Sequence, residues 1–273
     1  MVLKTRNRLT LAVLFFSLFS IMAASIIFIQ AVTSNQILPP PLAANISHSS
    51  IFFLKYSFPA TLLAIALLIL YVPVTLFLIY VNFEKTQASE IVFFILFLIG
   101  CLTELSRLLN PLFGLWRSFS TFFIISNRFV LFGRILAPLS LLFSTLMNEA
   151  EQRQDIERNL TVVIAVAAVF AIIIPLDTAH ITPTCTIPWA YGHLFTGIFA
   201  LISITTAVTL FLKAKNQDSK EMLEIFTGFI LLCSGYNILT AAYNWGALTA
   251  GVLLLATGTF RYLKSLHILY LWQ

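Results

Sequence analysis

Charge is what this chain has least of. Only 10% of its 273 residues are Asp, Glu, Lys or Arg, while 59% are hydrophobic. Soluble domains carry about a quarter charged residues, so an ordinary water-soluble fold is excluded and a membrane protein is indicated. Cysteine is scarce too. Cys101, Cys185 and Cys233 stand in separate segments, with neither the paired spacing of a zinc site nor the even count of a disulfide framework. Also missing are a glycine-rich phosphate loop, a His-Glu-x-x-His zinc helix, and a nucleophile with its base and orienting acid. The chain therefore reads as a non-enzyme with no cofactor and no metal. An intramembrane lipid-modifying enzyme, which needs only a few polar groups at the interface, is the one catalytic class left open. No stretch outside the apolar runs exceeds about 30 residues, so no appended nucleotide-binding, kinase or nucleic-acid-binding module is expected.

What is abundant is the long apolar run. A helix needs roughly 20 mostly apolar residues to cross a bilayer, and eight stretches qualify: residues 9–31, 59–82, 91–111, 120–147, 160–176, 190–212, 222–243 and 246–263. Segments this long and apolar can satisfy their backbone groups in lipid only as helices. The expected fold class is all-α: a polytopic transmembrane bundle of about eight spans, forming a single integral membrane domain over 1–273. With the N-terminus inside, Lys4, Arg6, Arg8, Lys85, Arg153, Arg158, Lys213, Lys215, Lys220, Arg261 and Lys264 fall on the cytoplasmic side, and only Lys55 and Arg117 fall outside. This is the positive-inside pattern, and it puts both termini in the cytoplasm and the protein in the cell membrane. The same bias explains a net charge of +5 with the lipid bilayer as partner and no nucleic acid.

Residues 4–31 also carry the basic start, apolar run and small residues (Ala23, Ala24, Ser25) of a signal peptide. The run continues through Ile26 to Ile29, longer than such a segment needs, so an uncleaved anchor is preferred. Cleavage would leave seven of the eight spans. Between the first two spans, Pro39, Pro40 and Pro41 favour an extended connector, and Asn45-Ile46-Ser47 is a glycosylation acceptor if the host is eukaryotic. The segment Asn148 to Asn159 is dense in Glu, Gln, Arg and Asp, with Arg153 and Glu157 at i,i+4 spacing, and should continue a helix into water. Together with 213–221 it is the expected route to a cytoplasmic or membrane protein partner.

Against this apolar background, Glu104, Arg107, Arg128 and Arg134 lie in or beside the third and fourth spans. Ionisable residues at membrane depth are costly, and by default they are functional candidates. Pro111 and Gly114 favour a short turn between the two spans, which makes them an antiparallel hairpin. Glu104 lies about 11 residues before that turn and Arg128 about 12 after it, so at about 1.5 Å rise per residue the two reach similar depth and an ion pair is allowed. Glu104 and Arg107, at i,i+3, allow the carboxylate to be shared. Asn127 shares a stripe with Arg134 and extends the polar surface.

Three arginines against one carboxylate leave an excess suited to a carboxylate or phosphate ligand. The expected ligand or ion pathway is thus Glu104, Arg107, Asn127, Arg128 and Arg134. In the competing arrangement the fourth span starts near Phe129. Arg107, Arg117 and Arg128 then snorkel to headgroups, and Arg134 alone stays deep, bonded to backbone freed by Pro138.

A second polar stripe, Cys233, Asn237, Thr240 and Asn244, follows helical spacing in the seventh span, beside Tyr236 and Tyr243. It suits either a solute site or interhelical hydrogen bonds, each worth about 0.6 kcal/mol. The last span has the small residues Gly246, Ala250, Gly251, Ala256 and Gly258, which favour close helix contact. Asp177, His180, Cys185 and His193 match no zinc spacing. No internal repeat supports a transporter of duplicated halves. The expected function is a non-enzymatic sensing or complex-organising membrane module; the alternative is a small-solute or anion transporter using the Glu/Arg cluster.

Overall fold

The structure, a computed structural model, describes residues 3–34, 37, 39–41, 52–84, 86, 88–117, 121–146, 156–178, 180–217 and 219–271. The glycosylation acceptor at Asn45 and most of the charged 148–159 segment lie outside these residues. Among the described residues the helices are α1 (Leu3–Thr33), α2 (Phe58–Phe83), α3 (Ser89–Leu102), α4 (Leu105–Phe113), α5 (Thr121–Leu146), α6 (Ile156–Ile173), α7 (Gly192–Gln217), α8 (Lys220–Thr240) and α9 (Trp245–Leu271). Taking α3 and α4 as one path, eight helices are long and apolar enough to cross a membrane. The chain is an all-α, multi-pass membrane protein.

Helix starts follow capping chemistry. Ser57 accepts from the Ala60 amide ahead of Pro59 at the start of α2, and Ser219 accepts from Met222 at the start of α8. The last helix runs on to Leu271 instead of stopping near 263. Lys264 lies over the Phe260 ring, and the Tyr270 hydroxyl donates to Glu90 at 2.6 Å, so polar side chains late in α9 find partners without ending it.

Burial is graded across the bundle. In the most apolar window of the α3–α4 path 78% of residues are buried, against 6% in α1 and 11% in α7. The α3–α4 path is the centre. The α1 side chains Phe15, Phe16, Phe19 and Met22 are exposed, as lipid-facing residues are.

Two helix pairs touch backbone to backbone. Across α8 and α9, a Cβ on Gly235 would meet Leu255 N at 2.3 Å and one on Gly258 would meet Leu232 N at 2.3 Å. Across α3 and α5, a Cβ on Gly133 would lie 2.5 Å from the Gly100 carbonyl oxygen.

The third span, expected as one helix over 91–111, is broken. The Thr103 hydroxyl donates to the Gly100 carbonyl at 2.7 Å, and that of Ser106 donates to the Thr103 carbonyl at 2.7 Å. These hydroxyls compete with the helical ladder, and the backbone tightens to i→i+3 bonds from Glu104 N to Cys101 O and from Arg107 N to Glu104 O. Glu104 therefore sits in the break. Gly114 ends α4 in the left-handed region, at φ 55°, with its amide bonded to the Asn110 carbonyl.

Candidate functional site

The Gly100–Gly133 crossing decides where the charges meet. Because Arg134 follows Gly133, and Glu104 lies one turn beyond Gly100, close approach of the two backbones carries the guanidinium to the carboxylate. Arg134 Nε donates to Glu104 Oε1 at 2.8 Å, and Arg107 Nη1 donates to Glu104 Oε2 at 3.1 Å. The Glu104 side chain is fully buried and that of Arg107 is 1% exposed, whereas that of Arg134 is 18% exposed. The interfacial arrangement for Arg107 is thereby overturned. Its Nη1 also donates to the Thr240 carbonyl at the end of α8, at 3.0 Å, and its Nε to the Thr184 carbonyl. Its buried Nη2 has no hydrogen-bond partner among the described residues.

Arg128 does not join the cluster, which corrects the expected Glu104–Arg128 pair. Its Nη1 donates to the Ala171 and Ile172 carbonyls at 2.6 Å each. The cause is helical phase: at 3.6 residues per turn Arg128 and Arg134 point about 120° apart. Arg134 faces α3, while Arg128 faces α6, whose last carbonyls lack helical donors and attract a cation. Similar depth was a necessary condition for a pair with Glu104, but not a sufficient one.

Asn127 lies on the Arg134 stripe as expected, but it serves the segment between α6 and α7. Its Nδ2 donates to the Phe123 carbonyl at 2.8 Å, and its Oδ1 accepts from Ile187 N at 2.9 Å. Asn110 donates to the Cys185 carbonyl at 2.8 Å, and the Ser126 hydroxyl donates to the Ser106 carbonyl at 2.7 Å and lies 3.2 Å from Asn110 Oδ1. With Arg107 on Thr184, three side chains of α4 and α5 hold the backbone of residues 184–187. A bridge between Leu176 and Trp189 closes that segment into a small lobe seated on the ends of α4 and α5. Cys185 is fully buried at φ 62°, and burial pushes its thiol up to about 11 against a smaller downward pull from Arg107. Asn110 and Ser126 were missed in the sequence. The signal for Asn110 was its i,i+3 step from Arg107 on the stripe that begins at Glu104.

The second stripe is divided by the end of α8. Thr240 donates to the Asn237 carbonyl and presents its own carbonyl to Arg107. Asn244 lies beyond the helix and caps α9, its Oδ1 accepting from Ala247 N at 2.7 Å. Cys233, Asn237 and Thr240 line a cavity, and of the three Asn237 is the most exposed. His180 and Asp177 form an exposed pair at 3.4 Å, whereas Cys185 is buried.

Between α5, α7 and α8 lies a cavity of about 510 Å³, lined by Arg134, Tyr236, Asn237, Thr196, Ser203 and Trp189 among others. The Tyr236 hydroxyl is buried and has no hydrogen-bond partner among the described residues. A groove of similar size between α1, α2 and α4, about 520 Å³, is lined by apolar side chains and Ser25, with no charge. The arrangement is a cluster of two guanidinium groups and one carboxylate, open to a cavity only through Arg134. No protein-family model, no curated protein and no solved structure matches this chain.

Proposed function

We propose that the protein is a non-enzymatic membrane module that binds an anionic ligand in the α5–α7–α8 cavity and passes the bound state to a cytoplasmic or membrane partner. The observation that carries this reading is Arg134. Glu104 neutralises one of the two guanidinium groups it touches, and the arginine left with exposure faces the cavity. Uncompensated charge at membrane depth is costly. An anion in the cavity supplies the missing partner, and a guanidinium already held by Glu104 loses little freedom in receiving it.

The α7 and α8 walls of the cavity join through residues 213–221, so a ligand that draws these helices together moves that segment. Lys213 Nζ donates to the Thr145 carbonyl, which ties the end of α7 to that of α5. The distribution of Lys and Arg supports an orientation with both termini, 148–159 and 213–221 in the cytoplasm, and residence in the cell membrane.

The test is a thermal-unfolding screen of purified protein in neutral-lipid nanodiscs against short carboxylates, phosphates and lipidic acids. Ligand at a hundred times its Kd stabilises by about 2.7 kcal/mol. At least one anion should raise the Tm of the native protein and fail to raise that of Arg134→Gln. If no anion separates the two proteins, the binding role is lost.

A second reading, an anion carrier, is favoured by the break at Thr103–Glu104, because transporters build their sites from interrupted helices near the bilayer midplane. It requires flux into proteoliposomes that Arg134→Gln abolishes. Binding without flux favours the sensing role.

A further inference from the structure

We infer that the ligand is a long-chain carboxylic acid that reaches Arg134 sideways from the bilayer; this rests on the binding role of the α5–α7–α8 cavity. Depth is the first observation. Arg134 lies near the middle of α5, with about 18 to 20 Å of helix on either side at the usual rise, so a small hydrated anion faces a long dry path. The second is the partial cover at the end of the bundle where α5 starts, beside which the cavity-lining Thr196 and Ala241 stay exposed. There residues 184–187 are held by Arg107, Asn110 and Asn127, Cys185 and Ile187 are buried, and Trp189 lines the cavity on that side.

The third is the side wall. Ala200 and Ile204 of α7, and Asn237 of α8, line the cavity and are exposed at the same time, with Ile204 midway along its helix, so it opens between α7 and α8 where lipid lies.

The chemistry of the lining selects the head group. One uncompensated positive charge matches a monoanion; a dianionic phosphate would leave a negative charge buried, which is costly. The Tyr236 side chain lines the cavity, and its hydroxyl, buried and without a hydrogen-bond partner among the described residues, is a donor in search of an acceptor. A carboxylate satisfies both groups, with one oxygen on the Arg134 guanidinium and the other accepting from Tyr236 and from the Asn237 amide. Pro138, Leu141, Phe199 and Ile204 supply an apolar wall for the first part of a chain whose remainder leaves between α7 and α8. A carboxylic acid also travels well in lipid, because its neutral form carries no charge through the hydrocarbon.

The test is binding of radiolabelled palmitate to the full-length protein in phosphatidylcholine nanodiscs, with empty nanodiscs subtracted. One palmitate per protein is expected, displaced by oleate but not by hexadecanol, dodecyl phosphate, acetate or inorganic phosphate. Ser203→Trp fills the cavity without touching the ion cluster and should weaken binding at least tenfold. Tyr236→Phe, which keeps the ring packing, should weaken it about tenfold, the scale of a lost hydrogen bond to a charged group.

If acetate or inorganic phosphate displaces palmitate, or stabilises the protein through Arg134 where palmitate does not, the anion-binding role stands and the lipid-borne acid is overturned. Displacement by hexadecanol or dodecyl phosphate overturns the carboxylate head. Palmitate binding that ignores both Ser203→Trp and Tyr236→Phe places the acid elsewhere and also overturns the inference. Absence of binding by every probe removes the inference and the binding role together.

Discussion

Between α8 and α9 the backbones meet at Gly235 and Gly258, which leave no room for a Cβ, and the one charged group described there, Glu224, takes only a hydrogen bond from Ser265 near the far end of the pair. Between α3 and α5 the same device, Gly100 against Gly133, is followed within about a turn by Glu104 and Arg134 in full ion-pair contact. Glycine contact is enough to bring two helices together in this bundle, since dispersion between closely approaching backbones drives association in lipid. The buried charges of the second crossing are therefore not needed for adhesion. A buried ion pair is also weak support for stability, because desolvation offsets most of its attraction. What the second crossing has and the first lacks is a fixed guanidinium beside a cavity.

The largest effect that sharpens this contrast is expected at Glu104. Glu104→Gln leaves two guanidinium groups without their carboxylate and should destabilise by about 3–5 kcal/mol, measured by unfolding in mixed micelles. Replacing Glu104, Arg107 and Arg134 together by Leu should cost less than Glu104→Gln alone, the remaining loss coming from the Thr184 and Thr240 carbonyls that Arg107 no longer meets, while anion binding disappears. A large loss in the triple variant would instead make the cluster structural and erase the contrast.

Next is the glycine crossing. Gly258→Leu must push Leu232 away and should cost about 3 kcal/mol by the same unfolding measurement, with ligand affinity per folded molecule preserved. Smaller again is Asn127→Ala, which strands the Ile187 amide and should cost about 1–3 kcal/mol. Its signature is local: faster hydrogen exchange over residues 182–187, with the α8–α9 hairpin unchanged.

The smallest effect lies at Cys185. Its folded-state thiol is raised to about 11 from an ordinary 9.0, so it holds its proton more tightly folded than unfolded. The associated stability is complete below about 9 and is lost as pH rises toward about 11. A stability profile over that window should flatten in Cys185→Ser, and the native thiol should stay silent to thiol reagents at neutral pH.

Much of the fold was legible along the chain. Expected spans 59–82 and 120–147 correspond to Phe58–Phe83 and Thr121–Leu146, because apolar length is a property of consecutive residues. The break inside the third span was harder to read. It depends on Thr103 and Ser106 turning their hydroxyls onto the helix backbone, which the same residues in another helix need not do. At the candidate site, Glu104, Arg107 and Arg134 were visible as misplaced charges, and the i,i+3 pairing of Glu104 with Arg107 followed from spacing. The Arg128 partner was misread because depth was judged along the helix axis while rotation about it was not.

By itself, then, the sequence determined a helical membrane protein, the segments long and apolar enough to cross a bilayer, and the residues whose charge is out of place. These follow from local composition and from the cost of unpaired backbone and charge in lipid. Only the tertiary structure decided which arginines meet Glu104, that residues 184–187 are seated on α4 and α5, and that within the cluster it is Arg134 that faces a cavity. Those outcomes depend on rotational phase and on the close Gly100–Gly133 contact, which arise between helices distant in the chain and leave no periodic mark within either one.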